Sequence, residues 1–259
     1  MIEAVIFDWA GTTVDYGCFA PVQAFIYAFE QFGIIPTVEE VREPMGMLKR
    51  DHIKTMLHMP RISKEWTEKY GHTATEEDID KVYELSETGI INILHKFCDV
   101  KPHVLETVEY LRKKEIKIGS TTGYTDEMMD IVTKKAKENG YAPDTWVSPN
   151  AVDNLGRPYP YMIFENLKRL KVSSVQNVIK IGDTISDIKE GKAAGVITVG
   201  VIEGSSLMAL SQEEYEKMTQ TEKEELCETI KEKFMEAGAD AVLYHLGELP
   251  ALIEKVNHE

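Results

Sequence analysis

The chain of 259 residues is long enough for one large domain or for a core with a smaller insert, and its 43% hydrophobic content can bury a core without disulfide or metal staples. A formal net charge of −15, interrupted by no basic cluster, argues against nucleic acid and anionic membranes as partners and leaves an anionic small molecule in a locally positive pocket. The first residues, Met1-Ile2-Glu3-Ala4-Val5-Ile6-Phe7, lack the basic region of a signal peptide, and no apolar run nears the ~18 residues of a membrane span. Cys18, Cys98 and Cys227 are odd in number and far apart, as expected of free thiols in a cytoplasmic protein.

Ala4 to Phe7 is a continuous apolar run ending in Asp8, the pattern of a buried parallel strand. From about Pro21 to Phe97 the chain carries helix signals and no convincing strand. Pro21 opens a helix whose apolar positions Val22, Phe25, Ile26 and Phe29 keep helical spacing, with Gly33 as its stop. Thr37-x-x-Glu40 fits a capping box, Pro44 begins a helix running to about His58, and Thr75 caps a long helix toward Phe97. From Val100 strand and helix alternate. Strands are expected at 116–121, 177–181, 196–202 and 239–244, with helices near 103–114 and 126–139, one before Asn177, one ending near Gly195, and a closing helix from Leu249. The segment 205–237 is helix-rich and highly charged and carries no recognisable chemistry.

This alternation predicts an α/β fold: a doubly wound, mostly parallel, Rossmann-like core formed by residues 1–16 and 99–259, with an all-helical cap domain, 17–98, inserted after the first strand. In such sheets the active site lies at the carboxyl ends of the strands. Four segments stand at or near those ends. Asp8-Trp9-Ala10-Gly11-Thr12 offers a carboxylate, and Thr122-Gly123-Tyr124 offers a hydroxyl and backbone amides. Arg157 brings a cation, and Gly182-Asp183-Thr184-Ile185-Ser186-Asp187 places carboxylates at i and i+4 across a strand end and a helix start. Each has a plainer explanation alone, as a turn, a surface charge or a helix cap; together they point to phosphoryl chemistry beside Mg²⁺.

Taken in order, these segments and the inserted cap resemble the haloacid dehalogenase superfamily over the whole chain. The resemblance implies Asp8 as nucleophile and Thr122 and Arg157 as holders of the phosphoryl group. It also implies Mg²⁺ bound by Asp183, a carboxylate oxygen of Asp8 and the main-chain carbonyl of Ala10, with Asp187 as an outer ligand or hydrogen-bonding support. In most phosphatases of the superfamily the residue two after the nucleophile is a second Asp, the general acid for the leaving oxygen. Here it is Ala10, so either the site is slow or dead, or its leaving group needs no such acid.

The cap supplies a reason for the second alternative. On the expected helix from Pro44, Met45, Lys49, His52 and Met56 share one face, with Ile53 beside them. Lys49 there is either a side chain snorkelling from the stripe edge or an amine that reacts with a carbonyl. Desolvation can lower a lysine pKa by ~3 units from ~10.4, enough to free the amine, and His52 could shuttle protons. A protonated imine would act as an electron sink and let a carbon–phosphorus bond break with an enamine leaving. Asp-Trp-Ala-Gly-Thr-Thr-Val-Asp at 8–15 and Gly-Met-Leu-Lys-Arg-Asp-His-Ile at 46–53, with Thr122-Gly123-Tyr124 and Arg157, resemble the phosphonatase family within that superfamily. That resemblance implies a small phosphonate aldehyde as substrate and a Schiff base on Lys49. It also implies Cys18, Met45, His52 and Tyr124 around the imine and a homodimer paired through cap helices. An ordinary phosphatase or phosphosugar mutase is the closest rival, but it gives Lys49 no task. A dehalogenase has no use for the Asp183/Asp187 pair, and a non-catalytic binding protein has no need of Asp8.

Overall fold

The computed structural model describes residues 1–45 and 47–258. Its single sheet holds β1 (Ala4–Phe7), β2 (Lys117–Thr121), β3 (Thr145–Val147), β4 (Val178–Gly182), β5 (Ile197–Val201) and β6 (Ala241–Leu243), in the order β3-β2-β1-β4-β5-β6. Every pairing is parallel, and β1 and β4 are buried at every position, as a strand covered on both faces requires. The strand order reverses between β1 and β4, so the crevice for a ligand lies at their carboxyl ends, where Asp8 and Asp183 stand.

Between β1 and β2 the chain forms α1 (Phe19–Gln31), α2 (Val38–Arg42), α3 (Lys49–His58), α4 (Pro60–Tyr70) and α5 (Glu76–Ile93), then α6 (Val104–Lys113) on the sheet. The remaining helices are α7 (Asp126–Glu138), α8 (Tyr161–Leu170), α9 (Ile185–Ala194), α10 (Gln212–Lys217), α11 (Gln220–Glu236) and α12 (Leu249–His258). Both expected caps are present: Thr37 with Glu40 forms the expected capping box of α2, and the Thr75 cap of α5 also proves to be a capping box, with Asp78. Among the described residues no helix is long and apolar enough to cross a membrane.

The inserted helices have a hydrophobic cluster of their own, built on Val22, Phe25, Phe29, Ile53, Met56, Leu57, Trp66 and Val82. The roots of α1 and α5 do not belong to it. Ala20, Ala24 and Ile90 pack into the cluster beneath the sheet, with Phe7, Trp9 and Ile118. The acidic segment near the end is held by one face of α11, where Cys227, Ile230 and Phe234 are buried.

One expected helix starts late. α3 begins at Lys49, with Leu48 at its N-cap, not at Pro44. Pro44 is buried in a turn that leaves α2, where the Met45 amide donates to the Arg42 carbonyl at 3.0 Å. Met45 therefore does not share a helix face with Lys49, His52 and Met56. Gly46, which opens the 46–53 segment quoted above, lies outside the described residues.

Candidate active site

β1 delivers Asp8 to the switch point, and the turn after it is held by its own residues. Thr13 Oγ1 donates to the Asp8 carbonyl at 3.1 Å, and the Trp9 indole donates to Ser120 Oγ of β2 at 2.7 Å. Gly11 takes φ +83°, and a Cβ there would stand 2.2 Å from Asp183 Oδ2, so only glycine allows the two loops to approach. β4 and α9 deliver the second acidic loop. Thr184 and Asp187 form the capping box of α9. A Cβ on Gly182 would fall 2.1 Å from the Asp187 side chain, which explains the glycine before Asp183.

Asp8, Asp183 and Asp187 are buried, and each offers an oxygen within 4.8 Å of the others. An oxygen-only, acidic donor set suits a hard divalent cation. Burial, and then the charges of Asp8 and Asp187, push Asp183 well above the usual carboxylate range. Bound positive charge would reverse that shift. Asp187 differs from the other two. Burial alone would raise it, but Arg157 and Lys180 outweigh burial and hold it below its ordinary value. Its Oδ2 accepts from Thr184 Oγ1 at 2.6 Å, and its Oδ1 lies 2.8 Å from Lys180 Nζ and 3.0 Å from Arg157 Nη2. Oδ2 is thus held by a hydrogen bond and Oδ1 by two ion pairs inside the protein.

Arg157 is buried and spans the floor of the site. Its Nη2 donates to Asp8 Oδ1 and to the carbonyl and hydroxyl of Thr121, and its Nε donates to Glu190 Oε2 at 3.1 Å. Glu190 also accepts from Thr121 at 3.0 Å and lies 3.3 Å from Lys180, so it is the hub behind the arginine. Sequence reasoning passed over Glu190 and Lys180. Each had a signal: Lys180 interrupts the apolar run Val178-Ile179-Lys180-Ile181, and Glu190 follows Asp187 by three positions on the same helix face.

The cap brings the amine. Lys49, at the start of α3, keeps only 15% of its side chain exposed, and its Nζ donates to Glu87 Oε1 of α5 at 2.7 Å. Met128 Sδ of α7 lies 3.0 Å from the same nitrogen, and the Tyr124 ring centre 5.8 Å away. Burial lowers the Lys49 pKa, and the Glu87 charge opposes it. His52 is stacked on Phe25 with ring centres 4.1 Å apart, and burial takes it down to about 4, so the ring is neutral. Burial likewise pushes the Cys18 thiol and the Tyr124 phenol up, so both stay protonated.

One pocket of about 110 Å³ joins the two halves. Asp8, Ala10, Thr122, Gly123, Tyr124, Arg157 and Asp183 line it from the core, and Cys18, Met45, Lys49 and His52 from the cap side. Of the residues expected at a site, Asp187 alone stands behind this lining. The volume is below the ~300 Å³ of drug-sized pockets and suits a substrate of a few heavy atoms. A cap–core tie runs nearby. Arg42 of α2 donates to the carbonyls of Ser206 at 3.1 Å and Gly17 at 3.0 Å, and the Ser206 amide donates to Asp183 Oδ2 at 2.7 Å.

Comparison with known proteins gives a consistent picture. A sequence model of haloacid dehalogenase-like hydrolases matches residues 2–195. The chain is 50% identical over 258 residues to phosphonoacetaldehyde hydrolase of Lysinibacillus sphaericus, covering 100% of this chain and 96% of that protein. It is 48% identical to a bifunctional phosphonoacetaldehyde hydrolase/aminoethylphosphonate transaminase of Clostridioides difficile, of whose length it spans 40%. The crystal structure of a phosphonoacetaldehyde hydrolase-like protein from Oleispira antarctica superposes with a TM-score of 0.95 at 37% identity, over 99% of this chain and 93% of that one. A β-phosphoglucomutase from Clostridium difficile, 19% identical with a TM-score of 0.68, shares the fold.

Proposed function

The chain belongs to the haloacid dehalogenase-like hydrolases, and from that premise we propose that it hydrolyses the carbon–phosphorus bond of phosphonoacetaldehyde to acetaldehyde and phosphate. The observation that carries this reading is one small pocket lined by a carboxylate nucleophile, Asp8, and a desolvated amine, Lys49, with Ala10 where a phosphatase would keep its acid. Lys49 condenses with the aldehyde to form a protonated imine. The Asp8 carboxylate attacks phosphorus, the carbon–phosphorus bond breaks, and its electron pair enters the imine as an enamine. An enamine carbon needs no proton at that instant, so the methyl of Ala10 is no handicap. Asp8 is left as an aspartyl-phosphate for water to hydrolyse.

Arg157 offsets the repulsion between Asp8 and the phosphonate and stabilises charge in the transition state. Thr122 accepts the Tyr124 amide at 3.0 Å and keeps its hydroxyl hydrogen to donate to a phosphoryl oxygen, beside the Gly123 backbone. Cys18, Met45, His52 and Tyr124 keep the imine away from water. Asp8, the main-chain carbonyl of Ala10 and Asp183 would hold Mg²⁺, with Asp187 in support. When bound, Mg²⁺ supplies charge neutralisation at the phosphoryl oxygens. The reading includes a cytoplasmic enzyme, in keeping with three buried free cysteines, and a homodimer paired through the cap helices.

The test is a substrate comparison in the presence of Mg²⁺. Acetaldehyde and phosphate should appear in equal amounts from phosphonoacetaldehyde, with phosphate esters turned over at least ~10²-fold less well. Preference for an ester would return the protein to the phosphatase reading.

A further inference from the structure

Imine formation is a proton-transfer reaction, and the structure shows which group meets the nitrogen. Lys49 arrives as an ammonium, must lose a proton to attack, and must then expel the aldehyde oxygen as water. His52 shares the buried face of α3, but its ring lies flat against Phe25, and its Nε2 has no hydrogen-bond partner among the described residues. Held near 4 by burial, it takes no proton at neutral pH. The groups facing Lys49 from other elements are Glu87 on α5 and Tyr124 after β2, with Cys18, Asp8, Asp183 and Arg157 along the pocket. Burial keeps the Tyr124 and Cys18 protons in place. Glu87 is in direct contact with the reacting nitrogen, at 2.7 Å, with its own side chain 20% exposed.

Resting on the Schiff-base reading above, we propose that Glu87 is a further catalytic residue, the acid–base partner of Lys49 in forming and hydrolysing the imine. The Glu87 carboxylate accepts one proton from the Lys49 ammonium. The nitrogen lone pair forms the N–C bond as the carbonyl pair moves to oxygen, and a second proton passes from nitrogen to that oxygen. Glu87 then returns its proton to the same oxygen. The C–O bond breaks with its electron pair, and water leaves behind a protonated imine. The sum is ammonium plus aldehyde giving protonated imine plus water, with the carboxylate regenerated. Hydrolysis of the product imine runs the same steps backward. The arrangement also explains how an amine can be kept buried: the carboxylate accompanies it until substrate arrives.

The experiment follows borohydride trapping of Lys49 with phosphonoacetaldehyde, across pH, in the full chain and in Glu87→Gln, Glu87→Asp and Glu87→Ala. Glu87→Gln keeps the hydrogen bond and loses the acid–base function. Its trapping rate at the alkaline plateau should fall on the order of 10²-fold. The acid limb of its pH profile should move to lower pH, because the charge that opposed the burial of Lys49 is gone. Glu87→Asp should recover part of the rate, and added formate should accelerate Glu87→Ala. Wild-type trapping in Glu87→Gln would overturn the proposal. So would slower trapping with an unmoved pH limb and no response to formate, since that pattern marks packing alone. Absence of any Lys49 adduct in the unaltered protein would bring down the Schiff-base reading itself, a result distinct from these.

Discussion

Asp8, buried in the core, and Lys49, with 15% of its side chain exposed in the cap, line one pocket, and their surroundings are built on opposite principles. Around Asp8 the charges are dense and interlocked: Arg157 and Lys180 lie among Asp8, Asp187 and Glu190, with Thr121 and Thr184 completing the hydrogen bonds. Around Lys49 there are the carboxylate of Glu87, the thioether of Met128 and otherwise apolar or neutral surface, including Met45, Phe25 and the uncharged ring of His52. The difference matches the chemistry proposed for each side. Phosphoryl transfer moves negative charge and is favoured by fixed opposite charges already in place. An amine nucleophile requires its own charge to be disfavoured, which burial achieves here against the opposing charge of Glu87. Placing the two environments in separate units lets each be built without compromising the other, and lets them meet only in the pocket.

Substitutions can break that division. The largest effect is expected from Asp8→Ala, which should lower turnover on the order of 10⁴-fold or more while Lys49 still forms a trappable imine. Loss of trapping in that variant would show that the two environments are not independent. Lys49→Arg should lower turnover on the order of 10³-fold or more, since a guanidinium keeps the charge and cannot form the imine. Inhibition by inorganic phosphate should persist in it, and loss of that inhibition would mean that the cap also builds the phosphoryl site.

The burial of His52 predicts a pH dependence of stability that belongs to the cap. Its folded pKa of about 4 is below the unfolded value of 6.5, so the unfolded chain binds a proton first as pH falls. The contribution is complete above 6.5 and is lost progressively down to 4, amounting to about 3 kcal/mol over that window. Urea titrations of the wild type and His52→Gln across the window should show the variant losing less stability as pH falls; equal losses would place the pH sensitivity elsewhere. A smaller effect is expected at the seam. Arg42→Gln removes charged hydrogen bonds to Ser206 and Gly17 and should raise KM for phosphonoacetaldehyde about tenfold with little change in kcat. An unchanged KM would mean that the cap seats without this tie.

Much of this was legible in the chain itself, for reasons that can be traced. β1, β4 and β5 are largely apolar runs, candidate site residues stand just beyond β1, β2 and β4, and the insertion between β1 and β2 follows from the stretch in which only helix signals occur. β3 escaped because a strand of three residues, Thr145–Val147, shows no period. α4, Pro60–Tyr70, escaped because its charged face outweighs the buried Ile62 and Trp66. The site's acidic loops were readable from residue types and spacing, and Met45 reached the pocket by a turn rather than by the helical spacing that first pointed to it. Glu87 had no signal. It is one acid among several on a charged helix, and only the packing of α5 against α3 turns it toward Lys49.

The most direct measurement of the central claim is borohydride reduction of the protein in the presence of phosphonoacetaldehyde, followed by peptide mass spectrometry. The account predicts a reduced adduct on Lys49 that appears only with substrate and survives in Asp8→Ala. Phosphate release from phosphonoacetaldehyde with no adduct on Lys49 would contradict it.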